Sequence, residues 1–145
     1  MAHTSMLRDL VDDPGIRDEL LAILDMQMAT TSMLAVDSDQ MPEGLPLVED
    51  EHVAFLEKRI DAMDAALEPL RSFVIPGGHP AVSQAHIART VCRRAERAIH
   101  RLQEEVHLDP TMIQFYNRLS DYFFVLSRKI ASQIGIKQQP WNRSL

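Results

Sequence analysis

The stretch "AHIARTVCRRAERAIHRL", Ala85–Leu102, decides how this chain folds. Its residues Ala85, Ala88, Cys92, Ala95, Ile99 and Leu102 step by three and four. That spacing lines one face of an α-helix, whereas a strand alternates. Small residues fill the first half of the seam, so a neighbouring helix can approach closely there. Each residue turns about 100° round the helix axis. By that rule His86, Arg89, Arg93, Glu96 and His100 fall within roughly 80° of one another, beside the seam. Arg94 and Arg101 point the other way. The stretch therefore holds a core-side stripe and a solvated stripe. The first needs an anion, a carboxylate partner or water. Arginine in place of lysine suits bidentate binding of phosphate or carboxylate.

Working outward, the same periodicity recurs. This third helix spans about Pro80 to His107. The first runs from about Pro14 to Ala35, with Asp13 as N-cap and a face built on Leu20, Leu24 and Met28 beside Leu21 and Ile23. A second runs from about Glu49 to Leu70 on Val53, Leu56, Ile60, Met63, Leu67 and Leu70. The fourth opens with Asp109 and Pro110 and ends near Ile134, where Gly135 can terminate it. Its seam is Met112, Tyr116, Leu119, Phe123, Leu126 and Ile130. The connections "DSDQMPEGLP" (Asp37–Pro46) and "RSFVIPGGHP" (Arg71–Pro80) carry the proline and glycine that break helices. Short connections favour antiparallel neighbours. The expected fold is all-α, an up-down antiparallel bundle of four main helices in a single domain over 1–145, with residues 1–13 and 135–145 as tails.

Composition narrows the function. The chain has 145 residues, 46% hydrophobic and 25% charged, the profile of a globular domain. Its net charge is −6, split as −12 over residues 1–70 and +6 over residues 71–145. An acidic chain does not offer the broad basic face that nucleic acid requires, so no nucleic-acid partner is expected. A small anion held at one focused site fits the basic half better. No apolar stretch is long enough to span a bilayer, so no membrane partner is expected. A single cysteine, Cys92, forms no internal disulfide and suits a reducing cytoplasm. On the seam it reads as a small core residue.

The fourth helix repeats the design of the third. Asn117, Asp121, Phe124 and Arg128 step by four, three and four and share a stripe. A surface ladder of ion pairs is the plainer account of one such stripe, but two on consecutive antiparallel helices weaken it. Two Glu-x-x-His pairs, Glu49–His52 and Glu104–His107, match the spacing of di-iron bundles. Both sit at helix ends, away from inward-facing glutamates, and read as exposed end residues. "PGGHP" lacks the Gly-Lys-Ser/Thr signature of a phosphate loop.

Three motifs then stand together: "SFVIPGG" (Ser72–Gly78), "ARTVCRRAER" (Ala88–Arg97) and "NRLSDYFFVLSR" (Asn117–Arg128). In this order and spacing the chain resembles the ATP:cob(I)alamin adenosyltransferases of the propanediol-utilisation type, over about Asp12 to Arg128. The resemblance implies a trimer of five-helix bundles with sites at the subunit interfaces. It implies transfer of the 5′-deoxyadenosyl group of ATP, carried with Mg2+, to cob(I)alamin, with release of triphosphate. Arg93 matches the arginine on the ATP phosphates, Glu96 the glutamate beside it, and Asn117 the asparagine that helps hold the nucleotide. Arg89 and Asp121 organise the site, Asp121 by fixing an arginine of the third helix. Phe73 matches the phenylalanine that crowds the lower face of the corrin and makes Co(II) easier to reduce. The partners implied are the two small-molecule substrates, further copies of the chain, and a reductase or an adenosylcobalamin-dependent enzyme.

The chain departs from the family pattern at its start. Family members open with a Thr-Gly-Asp-x-Gly-Thr-Thr segment that wraps the ATP phosphates. A helix bearing Val-Asp-Glu-Leu-Asn-Ser follows, and its aspartate partners the arginine that Arg89 matches. Neither is in this sequence, and Met1 falls near the end of that helix. The alternative expectation is an N-terminally truncated, non-catalytic bundle that binds corrinoid or ATP, or only oligomerises.

Overall fold

The computed structural model describes residues 1–36 and 41–141. Among these residues, five helices carry the fold: α1 (Ala2–Leu10), α2 (Pro14–Leu34), α3 (Asp50–Asp64), α4 (Pro80–Leu102) and α5 (Pro110–Gln133). Asp37–Gln40, the first part of the loop expected between the first two helices, and the last four residues of the expected tail lie outside the described residues.

The helix starts follow capping chemistry. The carboxylate of Asp13 accepts from the amides of Gly15 and Ile16 at 2.8 and 3.2 Å, with Pro14 at the first position of α2. Asp109 accepts from Thr111 at 2.9 Å and precedes Pro110 in the same way. At α4 the cap is an imidazole, with His79 Nδ1 accepting from the Ala81 amide at 3.2 Å. The Glu49–His52 pair has a local explanation too, since the Glu49 amide donates to His52 Nδ1 at 2.9 Å. Each contact satisfies a backbone donor that the helix itself leaves unpaired.

Side-chain pairs fix the helix directions. Down α5, Tyr116 meets Thr30, Tyr122 meets Glu19 and Gln133 meets Asp13, so α2 runs antiparallel to α5. Thr111, Arg118 and Arg128 of α5 meet Asp50, Glu57 and Asp64, so α3 runs parallel to it. Helix α4 lies antiparallel on α5, with Asn117 against Glu96 and Phe124 against Arg89. The result is the expected up-down bundle with α5 at its centre. Phe115, Tyr122 and Phe123 of α5 are among the largest fully buried side chains.

The tails differ from expectation. Residues 2–10 form α1 because Thr4, Leu7 and Val11, spaced at helical intervals, are buried against the bundle. Gln84 of α4 donates to the His3 carbonyl at 2.8 Å and anchors the helix there. The helix count is therefore five, the number the resemblance implied. Residues 139–140 form strand β2 (Gln139–Pro140), antiparallel to β1 (Val74–Ile75), and the Trp141 amide donates to the Phe73 carbonyl at 2.7 Å.

Two faces also shift. On α2 the buried side is Ile16, Leu20, Ile23, Gln27 and Thr30, so Leu21 and Met28 stand exposed. Helix α3 stops at Asp64, short of Leu70, which is exposed. The buried Arg128 guanidinium lies just beyond that stop, donating to Asp64 at 3.1 Å and to the Glu68 carbonyl. The cation is favourable beside a helix C-terminus, and it ties the chain that leaves α3 to α5.

Candidate active site

The α4–α5 seam gathers most of the residues singled out from the sequence. Alanines and Cys92 let the two helices approach, and the Cys92 thiol donates to the Tyr116 carbonyl at 3.2 Å. Burial, with the charge of Glu96 adding to it, pushes that thiol up to about 12, so it is no nucleophile. One turn further along α4, Asn117 Nδ2 donates to Glu96 Oε1 at 2.9 Å. Glu96 is buried, and this amide gives its carboxylate a neutral partner.

A cleft of about 230 Å³ opens beside this pair, between α3, α4 and α5. Glu57, His100, Arg118 and Val53 line it with Glu96 and Asn117. Arg118 bridges two carboxylates, Glu57 at 2.9 Å and Asp121 at 3.3 Å, and so stiffens the rim. The expectation that Asp121 fixes an arginine of α4 is corrected here. Its ion pair is with Arg118 of its own helix, three residues away, where helical geometry makes neighbours of the two.

Arg93 lies three residues before Glu96 on α4, exposed and with no ion pair among the described residues. Arg89, one turn earlier, is half-buried and sets its guanidinium over the Phe124 ring, 4.7 Å from the centroid. Among the described residues it is thus partnered by an aromatic face and not by a carboxylate. His86 packs on the same ring, with centroids 6.3 Å apart and planes at 68°. Arg89, Arg93 and Glu96 together span about 10 Å of one helix. A free guanidinium beside a buried carboxylate and an amide can bind an anionic ligand bearing polar groups.

Phe73 stands apart from this row. It precedes β1, while Arg93 lies about 20 Å along α4 from that helix's start. The residue is 79% exposed, and its ring touches Trp141 edge-on, with centroids 6.4 Å apart. An exposed pair of aromatic rings on a strand-backed loop is a surface ready for a flat apolar ligand. Sequence reasoning passed over His86 and Phe124 as a unit, and Arg118 and Trp141 altogether. Arg118 sits inside a quoted motif, and Trp141 is the chain's only tryptophan, so both had a signal. Among the described residues, no group of three or more His, Cys, Asp or Glu is placed to hold a metal ion.

Comparison with known proteins gives this geometry its context. The family model described as cobalamin adenosyltransferase matches residues 1–130. A corrinoid adenosyltransferase of Bacillus subtilis is 38% identical over 141 residues, which are 95% of this chain and 72% of that protein. The corrinoid adenosyltransferase PduO of Salmonella typhimurium is 38% identical over 80% of this chain, which spans 34% of that longer protein. Among solved structures, a PduO-type ATP:corrinoid adenosyltransferase from Lactobacillus reuteri superimposes with a TM-score of 0.90 at 26% identity, covering 98% of this chain and 80% of that one. That structure is of a single-substitution variant complexed with cobalamin and ATP. The chain belongs to the cobalamin adenosyltransferase family.

Proposed function

We propose that this chain transfers the 5′-deoxyadenosyl group of ATP to cob(I)alamin, releasing triphosphate. The observation that carries the reading is the row of Arg93, Glu96 and Asn117 on the α4–α5 seam, in a chain whose relatives are named for this activity. The Co(I) centre is itself a strong nucleophile. It attacks C5′ of the ribose, the Co–C bond forms, the C5′–O bond breaks, and triphosphate leaves with the electron pair. The protein need supply no nucleophile, which agrees with the inert Cys92. Its task is to orient C5′ and stabilise the leaving anion.

In this reading Arg93 binds the triphosphate, with Mg2+ arriving on the nucleotide. The Glu96–Asn117 pair holds the nucleoside end, Arg89 keeps its place in the row on the Phe124 ring, and Asp121 organises the cleft rim through Arg118. Phe73, exposed beside Trp141, faces the corrin and crowds its lower side. Self-association into a homotrimer fits the apolar Leu21 and Met28, which are exposed on α2. Among the described residues, no helix is long and apolar enough to cross a membrane. A reducing cytoplasm suits both the buried free thiol and a Co(I) substrate, and a reductase or an adenosylcobalamin-dependent enzyme is the protein partner such chemistry requires.

Calorimetric titration tests the reading. The chain should bind both ATP with Mg2+ and cobalamin. Cobalamin binding with no ATP binding would instead identify a carrier, and binding of neither would leave an oligomerising bundle.

A further inference from the structure

The His86 imidazole has no role in the reading above, yet it sits at the Arg89 end of the row. Three observations concern it. Its ring packs against Phe124, the ring on which the Arg89 guanidinium lies. Its Nε2 is fully buried and has no hydrogen-bond partner among the described residues. Its charged neighbour is a cation, since Arg89 comes from its own helix, α4. Across the seam α5 presents the uncharged Phe124, and the His3 ring of α1 is engaged by Gln84. Among the described residues, no carboxylate acts on the ring.

We propose that His86 is a positioning residue: its neutral ring, packed on Phe124, holds that phenyl ring as the platform for Arg89, and protonation of His86 unseats the Arg89 guanidinium. The physical chemistry is one of mismatch. A neutral imidazole can leave one nitrogen unpaired in an apolar contact at modest cost. An imidazolium has two N–H donors, and here one would be buried without an acceptor. It would also set a second positive charge beside Arg89 on the same short stretch of helix. Relief comes by moving either the histidine or the arginine off Phe124, and either motion breaks the platform. Burial first, and the Arg89 charge second, hold the His86 pKa below the usual imidazole value, in keeping with this picture. The consequence for turnover rests on the adenosyl-transfer reading, whereas the His86–Phe124–Arg89 clamp itself does not.

Two measurements separate these. In the full chain, the Arg89 Nε–Hε resonance reports its seat on Phe124 through the ring current. On lowering the pH from about 7.5 to about 4.5, through the ordinary imidazole value near 6.5 and well below it, that resonance should move in step with the His86 ring signals. In His86→Phe, which keeps an aromatic contact and cannot titrate, it should stay fixed, and His86→Gln serves as a second non-titrating variant. An Arg89 resonance that ignores the His86 titration, or moves equally in both variants, overturns the clamp. In the enzymatic assay, wild-type kcat/KM for ATP should fall tenfold per pH unit on its acid limb, as for one essential neutral group. His86→Phe should lose that limb relative to wild type, and the titration of ATP itself cancels in the ratio. An identical acid limb in both proteins overturns the role in turnover. Absence of turnover at every pH rejects the adenosyl-transfer reading, while the resonance still decides the clamp.

Discussion

Asn117 and Glu96 are joined across the α4–α5 seam by a 2.9 Å hydrogen bond, amide to carboxylate, at the edge of the cleft. Because Glu96 is buried, the bond matters for stability as well as for binding. Replacing Asn117 with Ala leaves a buried carboxylate without its neutral partner. The expected cost is about 1–3 kcal/mol of unfolding free energy, read as a lower urea midpoint. ATP affinity should fall in the same variant.

Arg93 makes the contrasting case. It is exposed and has no ion pair among the described residues, so its removal costs the fold nothing of note. Arg93→Ala should leave the melting temperature within a degree or so while weakening ATP by roughly 1.5–3 kcal/mol, the range for hydrogen bonds to charged groups. Unchanged ATP affinity by calorimetry would reject the phosphate role.

Phe73 and Trp141 hold each other at the surface, and Trp141 is the chain's only tryptophan. Fluorescence therefore reports this contact without interference. Phe73→Ala should leave stability unchanged, because the residue is 79% exposed, and should lower the anisotropy of Trp141. Under the proposed role it should also slow adenosylation that starts from Co(II) more than adenosylation that starts from pre-formed Co(I). Equal slowing of the two would remove the corrin-facing role.

Cys92 provides a pH prediction. Its thiol is raised to about 12 in the folded chain, against an ordinary value near 8.5. The folded state therefore keeps its proton where the unfolded state has lost it. This contribution to stability is complete below the unfolded value and declines as pH rises towards the folded one. In Cys92→Ala the decline of the urea midpoint above about pH 9 should be shallower than in wild type. A thiol-directed chromogenic reagent at about pH 8 should label the chain only after denaturation.

Much of this was legible in the residues. The α5 seam is buried at every expected position from Met112 to Ile130, because a central helix needs a wide apolar face and periodicity reads such a face directly. The caps Asp13 and Asp109 follow from the same local chemistry. Helix α1 was not legible, since it has nine residues and no side-chain N-cap, and tertiary contact through Leu7 sustains it. On α2 the expected face was partly right, since Leu20 and Ile23 are fully buried, but Leu21 and Met28 are apolar residues left at the surface. The burial of Gln27 and Thr30, the latter bonded to Tyr116 at 2.9 Å, is a choice made by the partner helix. At the site, the stripe Arg89–Arg93–Glu96 follows from helical angle, whereas Asn117 joined it through the family resemblance, since its bond to Glu96 is a contact between two helices. The partner of Asp121 did not follow from the angle either, because Arg118 on its own helix competes at shorter range. The pairing of Phe73 with Trp141 brings together distant parts of the chain through a two-strand contact that no periodicity announces.

Adenosyl transfer is decided by mixing the chain anaerobically with ATP, Mg2+ and chemically reduced cob(I)alamin and following the corrinoid spectrum. The expected outcome is conversion to adenosylcobalamin, well above a protein-free control, with one triphosphate released per Co–C bond formed and a large loss of rate in Arg93→Ala. Conversion no faster than the control, in a protein that is folded by circular dichroism, would contradict it.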